Sequence, residues 1–198
     1  SAYLAMQSIV GGFAGFAASA GVMAVSGDFN GDGISDVALT GGIGWGSIPV
    51  AFANRTGTFN VTNAAFPGSF GAMASKAGAK AVAADFDGDG KADIALTGVS
   101  GWTAIPLALS NGDGTFRSSS LPGPGNFGTL AATAGVKAIA ADFNGDRRAD
   151  MGLVGGNNWM TIPIALSSGS GAANAAAAAA PQPQPAPTPP APAISLES

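Results

Sequence analysis

Short apolar runs separated by turn residues set the pattern of this chain. In its middle third the runs are Ala81–Ala84, Ile94–Thr97, Ala104–Leu109 and Thr115–Ser118, parted by acidic, Gly-rich and Asn-Gly-Asp-Gly stretches. The third run alternates as Ile105-Pro106-Leu107-Ala108-Leu109, the period of a half-buried strand, and no run is long enough for a stable helix. Four strands are therefore expected, followed by a Gly-, Pro- and Ala-rich connection over Leu121–Lys137. Pro106 has no N–H to donate, which places it at a strand start or on an edge.

The same grammar recurs at a fixed interval. Asp28, Asp85 and Asp142 open equivalent loops 57 residues apart, and Gly21, Gly78 and Gly135 keep the same spacing. Phe13, Phe70 and Phe127 precede those glycines, and Trp45, Trp102 and Trp159 share one position. Self-similarity of this kind means one supersecondary unit copied, with neighbours burying each other's apolar faces. Four strands and a long connection per repeat is the pattern of a propeller blade.

Charge sharpens the picture, because ten of the eleven aspartates lie in three nonapeptides. These run from Asp28 to Asp36, from Asp85 to Asp93 and from Asp142 to Asp150. Oxygen-bearing side chains stand at their first, third, fifth and ninth positions: Asp28, Asn30, Asp32 and Asp36; Asp85, Asp87, Asp89 and Asp93; Asp142, Asn144, Asp146 and Asp150. A hard cation such as Ca²⁺ takes about 6–8 oxygens at about 2.3–2.6 Å, and a short loop of alternating oxygen donors can wrap one. Asp-Gly loops also serve simply as turns, but three in register favour calcium. An EF-hand fails on two counts: position twelve of the middle loop is Leu96, and the flanks read as strands.

These nonapeptides, written Asp-Phe-Asn-Gly-Asp-Gly-x-x-Asp, resemble the calcium loop of FG-GAP and VCBS repeats, the blades of integrin-type and related bacterial β-propellers. Phe70-Gly71 and Phe127-Gly128 are similar to the "FG" half of the name, whereas Thr97-Gly98 sits where "GAP" would follow without matching it. The resemblance implies an all-β chain of four-stranded antiparallel blades, with calcium held between the first two strands of each. Three repeats are expected within residues 1–171, at about 13–69, 70–126 and 127–171. Arg147 and Arg148 replace Gly90 and Lys91 in the third loop. That loop is expected to bind calcium weakest, or to be held shut by arginine–carboxylate contacts.

The ends carry their own pattern. Residues 1–12 align with 58–69, while Ala172 and Ala173 stand where the last strand of the third repeat would begin. Residues 1–12 are thus expected to act as a closing or donated strand, with Ser1–Met6 beside Ile162–Ser167, in the same chain or the next. Two chains pairing into a six-bladed ring, a longer product and a head-to-tail filament all remain open. Residues 172–198 read as an Ala/Pro-rich stalk leaning to polyproline II. Ser1 reads as the start of a mature or trimmed chain. Asn54-Arg55-Thr56 and Asn60-Val61-Thr62 are sequons, making Asn54 and Asn60 candidate glycan acceptors.

Composition narrows the function classes. The chain has no Cys and no His, which removes zinc sites, thiol chemistry and Ser-His-Asp triads. Its net charge of −4 without a basic run does not suit nucleic acid, and no apolar run is long enough to span a membrane. The tryptophans are either sugar-stacking platforms in Gly-rich loops or inter-blade core, and repetition favours core. The expected function is a non-enzymatic, extracellular, calcium-binding module for adhesion or for glycan or protein recognition. A structural block of a surface, wall or filament assembly is the alternative. An accessory domain of a secreted hydrolase ranks last, since only loop aspartates could serve as acids and bases.

Overall fold

The computed structural model of the chain describes residue 9, residues 12–66 and residues 68–167. The expected pairing of Ser1–Met6 and the stalk over 172–198 lie outside the described residues.

The first sheet comprises β1 (Met23–Gly27), β2 (Asp36–Thr40), β3 (Ser47–Ala53) and β4 (Phe59–Ala65), in that order and antiparallel throughout. The second repeats it with β5 (Lys80–Ala84), β6 (Asp93–Thr97), β7 (Ala104–Ser110) and β8 (Phe116–Pro122). The third holds β9 (Lys137–Ala141), β10 (Asp150–Val154) and the two-residue β11 (Ile164–Ala165). Each acidic nonapeptide joins the first two strands of its sheet, so the loops fall where the sequence puts them. Pro106 is the third residue of β7, but the β6–β7 ladder pairs only Ala108 and Leu107. The proline therefore stands just before that ladder, where no N–H is called for.

The long connection is not irregular. Five-residue helices α1 (Phe13–Ala17), α2 (Phe70–Ala74) and α3 (Phe127–Ala131) precede the sheets. A helix this short is not stable alone; each is held by its first residue, since Phe13, Phe70 and Phe127 are buried. β8 also runs on through Pro122, further than its apolar run suggested.

Successive sheets pack face to face with their first strands together, β1 with β5 and β5 with β9. Phe29, Ile48 and Val50 of the first sheet lie in one core with Phe70, Ala92 and Ile94 of the second repeat. Shifted by 57 residues, Phe86, Ile105 and Leu107 lie in the next core with Phe127, Ala149 and Met151. Each joint is pinned by a backbone bond between acidic loops: Ala92 N–H donates to the Asp28 carbonyl at 2.7 Å, and Ala149 N–H to the Asp85 carbonyl at 2.6 Å. The second joint adds a cation, with Lys80 Nζ donating to the carbonyls of Ala131 (3.1 Å) and Val136 (2.6 Å) beside the end of α3.

Candidate functional site

The three acidic loops are built alike. In the first, Asp28 accepts from the N–H groups of Gly31 (2.7 Å), Asp32 (3.1 Å) and Gly33 (2.7 Å). Asp85 accepts from Gly88, Asp89 and Gly90, and Asp142 from Gly145, Asp146 and Arg147. The opening aspartate thus folds its loop by collecting backbone donors, which curls the next two donor residues toward it. The carboxylates of Asp85, Asp87 and Asp89 converge so that one oxygen from each lies within 4.8 Å of the others. That all-oxygen set suits a hard divalent cation. The first and third loops hold Asn30 and Asn144 in the middle place, each donating to the following aspartate (3.2 and 3.1 Å).

The ninth residue does something the spacing did not show. Asp36, Asp93 and Asp150 are buried, and Asp93 is not part of the converging cluster. Both its oxygens take backbone donors, Phe86 N–H at 2.9 Å and Ser110 N–H at 2.8 Å. Asp36 binds Phe29 and Ala53 in the same way, and Asp150 binds Phe143 and Ser167. This carboxylate ties the loop to the end of the third strand. Burial pushes the Asp93 carboxyl up to about 7, against the pull of the Ser110 N–H and with Asp87 adding repulsion. Burial raises Asp36 as well.

Among the described residues the ion pairs sit on the second loop: Lys91 on Asp89 at 2.6 Å, and Arg117 on Asp87. Partial burial pushes Asp89 up, but its bonds to Lys91 outweigh this and leave it below the usual carboxylate range. The arginine–carboxylate contact expected on the third loop is therefore found on the second, while Arg148 packs beside Gly88. Arg147 takes φ +69°, the left-handed conformation that Gly33 (+83°) and Gly90 (+84°) adopt at its position. Its N–H is the largest cause holding Asp142 below the usual range. The loop keeps its shape at the cost of a strained arginine. Arg147→Gly is expected to stabilise the chain by about 0.5–1 kcal/mol, read as a raised urea midpoint, since relief of that strain exceeds the chain entropy glycine adds.

The tryptophans divide. Trp45 and Trp159 lay their rings on Gly42 and Gly156, where an added Cβ would fall 2.0 Å from a ring atom. Trp45 also meets Phe16 edge-on at 5.4 Å. Val99 stands at that position in the second repeat and denies Trp102 the same seat. Trp102 packs partly on the first core, as Trp45 and Trp159 pack on theirs, and also lines a groove of about 650 Å³ with Ser69, Met73, Thr103 and the exposed Ser118, Ser119 and Ser120 of β8. Of the two sequon asparagines, Asn60 is exposed on β4, whereas the Asn54 side chain closes the β3–β4 turn through Thr56 and Thr58.

Phe70-Gly71 and Phe127-Gly128 have a plain physical role. The phenylalanine plugs the core, and the glycine lets the helix touch the previous repeat, since a Cβ would lie 2.2 Å from the Trp45 carbonyl oxygen or 2.0 Å from that of Trp102. The FG-GAP-like repeat model matches residues 28–96 and again 85–153, together more than half of the sequence. The chain belongs to the FG-GAP-like repeat family. No curated protein matches it. Among solved structures, this FG-GAP-like chain is similar to an Agrocybe aegerita lectin described for specific recognition of non-reducing terminal N-acetylglucosamine. Identity is 28%, the TM-score is 0.56, and the match covers 75% of this chain and 35% of the lectin chain. A Photorhabdus luminescens Tc holotoxin pore shares the fold at 23% identity and TM-score 0.51, over 76% of this chain and 6% of that one. The chain thus spans well under two thirds of either relative. The fold is all-β and propeller-like, and no helix among the described residues is long and apolar enough to cross a membrane.

Proposed function

We propose that this chain is a non-enzymatic, extracellular recognition module that binds a glycan in the Trp102 groove and calcium in its acidic loops. The observation that carries it is the groove itself. A half-buried indole stands beside the exposed serines of β8, of which Ser118 and Ser120 share one face of the strand, which pairs an apolar ring for sugar C–H faces with hydroxyls for sugar hydroxyls. Similarity to a lectin specific for terminal N-acetylglucosamine supports the ligand class. Asp85, Asp87 and Asp89 would hold one ion, with Asp28, Asn30 and Asp32 and then Asp142, Asn144 and Asp146 as the corresponding sets. Calcium there supplies positive charge that offsets the crowded carboxylates and stiffens the loop. The three-repeat division of residues 1–171 and the stalk over 172–198 belong to the same reading.

The test is a glycan array on the full chain, including N-acetylglucosamine-terminated glycans, run in calcium and in chelator. Trp102→Ala is expected to weaken binding about tenfold or more, roughly 1.4 kcal/mol, measured well below the variant's own melt, which falls because Trp102 also packs on the first core. No glycan retained, or full binding by the variant, sinks the glycan reading. The structural-block alternative is favoured by the exposed face of the third sheet.

A further inference from the structure

Three apolar positions change state along the repeats. Phe29 and Phe86 are 0% and 3% exposed, yet their equivalent Phe143 is 43% exposed. Ile48 and Ile105 are 2% and 4% exposed, and Ile162 is 58%. Val25 is 8% exposed, and Ile139 is 41%. In the first two sheets this face is covered by the next sheet; in the third it is open. The polar part of the joint is open too. Asp28 and Asp85 each receive an N–H from the following loop, and among the described residues the Asp142 carbonyl receives none.

The complementary half stands on the first sheet. Ser35 occupies the position of Ala92 and Ala149, whose N–H groups make those joint bonds, and it is exposed. Val37 is half-buried where Ile94 and Met151 are fully buried, and Phe59 is half-buried where Phe116 is covered. In the first joint Phe29 meets Phe116 edge-on, with ring centres 6.2 Å apart. The same relation, carried two repeats along, sets Phe143 against Phe59.

We propose that the third-sheet face docks on the first sheet of a second copy of this chain, repeating the internal joint between molecules. The argument is continuity: the chain carries both halves of a joint it already makes twice, and among the described residues no further sheet covers either. Phe143 then packs on Phe59 of the second copy, and the Asp142 carbonyl takes the N–H of its Ser35. The contact is heterologous, so two copies satisfy both faces if the ring closes, and longer arrays form if it does not. One position loosens it. Ala14 stands where Gly71 and Gly128 clear the tryptophan carbonyls, and its methyl must be accommodated beside Trp159. Association is therefore concentration-dependent.

Sedimentation equilibrium of the full chain in calcium, over a concentration series, tests this independently of any glycan. The wild type is expected to run at a multiple of the chain mass. Phe143→Ser, Ile162→Ser and Phe59→Ser each shift it to monomer, and the first two keep the melt of wild type diluted to monomer, because Phe143 and Ile162 are already 43% and 58% exposed in the single chain. Mixing Phe143→Ser with Phe59→Ser restores association, because one intact joint can form between them. A wild type that stays monomeric throughout overturns the proposal, as does association indifferent to all three variants. A monomer whose melt drops with Phe143→Ser also overturns it, because a segment of the same chain then covers the face.

Discussion

Asp93→Ala lowers the stability of the calcium-free chain by about 2–6 kcal/mol, taking about 1–3 kcal/mol for each buried backbone donor left without its acceptor. The Asp93 carboxylate is buried and shared between Phe86 N–H and Ser110 N–H, which belong to the acidic loop and to the end of β7. Alanine removes both acceptors from a position that is fully buried. Asp87→Ala is the control from the same loop. Its partner is Arg117, more than half exposed, and an ion pair of that kind contributes about 0–1 kcal/mol. Urea unfolding of the two variants without calcium reads the difference. Losses of similar size would mean that the ninth residue is an ordinary loop carboxylate rather than a tie between strands.

Calcium is expected to raise the melting midpoint, and a chelator to reverse the rise. One site at hundredfold excess over its Kd adds about 2.7 kcal/mol, roughly 5–10 °C for a chain of this size. Asp87→Ala removes the contribution of the second loop, because it takes one of three converging carboxylates out of the set. The cations beside that loop set a limit: Lys91 and Arg117 already hold two of its carboxylates and must share them with the ion. A midpoint indifferent to calcium, with none bound by elemental analysis, defeats the idea.

Much of this was legible in the residues. The interval of 57, the alternation in Ile105–Leu109 and the Asp-Gly turns placed the strands and loops, because period and turn chemistry are local. The short helices were not legible, since Phe-Gly-Ala-Met-Ala has no helical stripe to read and Phe70 holds its helix through contacts with another repeat. Spacing alone does not report that Asp93 ties two strands through their amides, since the partner amide of Ser110 lies 17 residues on. Arg117 at Asp87 crosses 30 residues and two strands, and no motif reports it. The third-loop arginines suggested a shut site, but what the sequence held was a conformational demand, met at φ +69°. Trp102 shares its repeat position with Trp45 and Trp159, and the weight of the change from glycine to Val99 is visible only once the Trp45 ring is seen resting on Gly42.

The bond from the Asp28 carbonyl to Ala92, repeated from Asp85 to Ala149, bears on how such a gene can change length. A duplicated or deleted stretch that encodes 57 residues re-creates both sides of a joint wherever its breakpoints fall, because an equivalent amide takes the place of the one displaced. Any other length leaves a carbonyl facing the wrong amide and a phenylalanine facing solvent. Unequal crossing-over is thereby filtered to whole units, and chains of this kind should differ among themselves by multiples of one repeat.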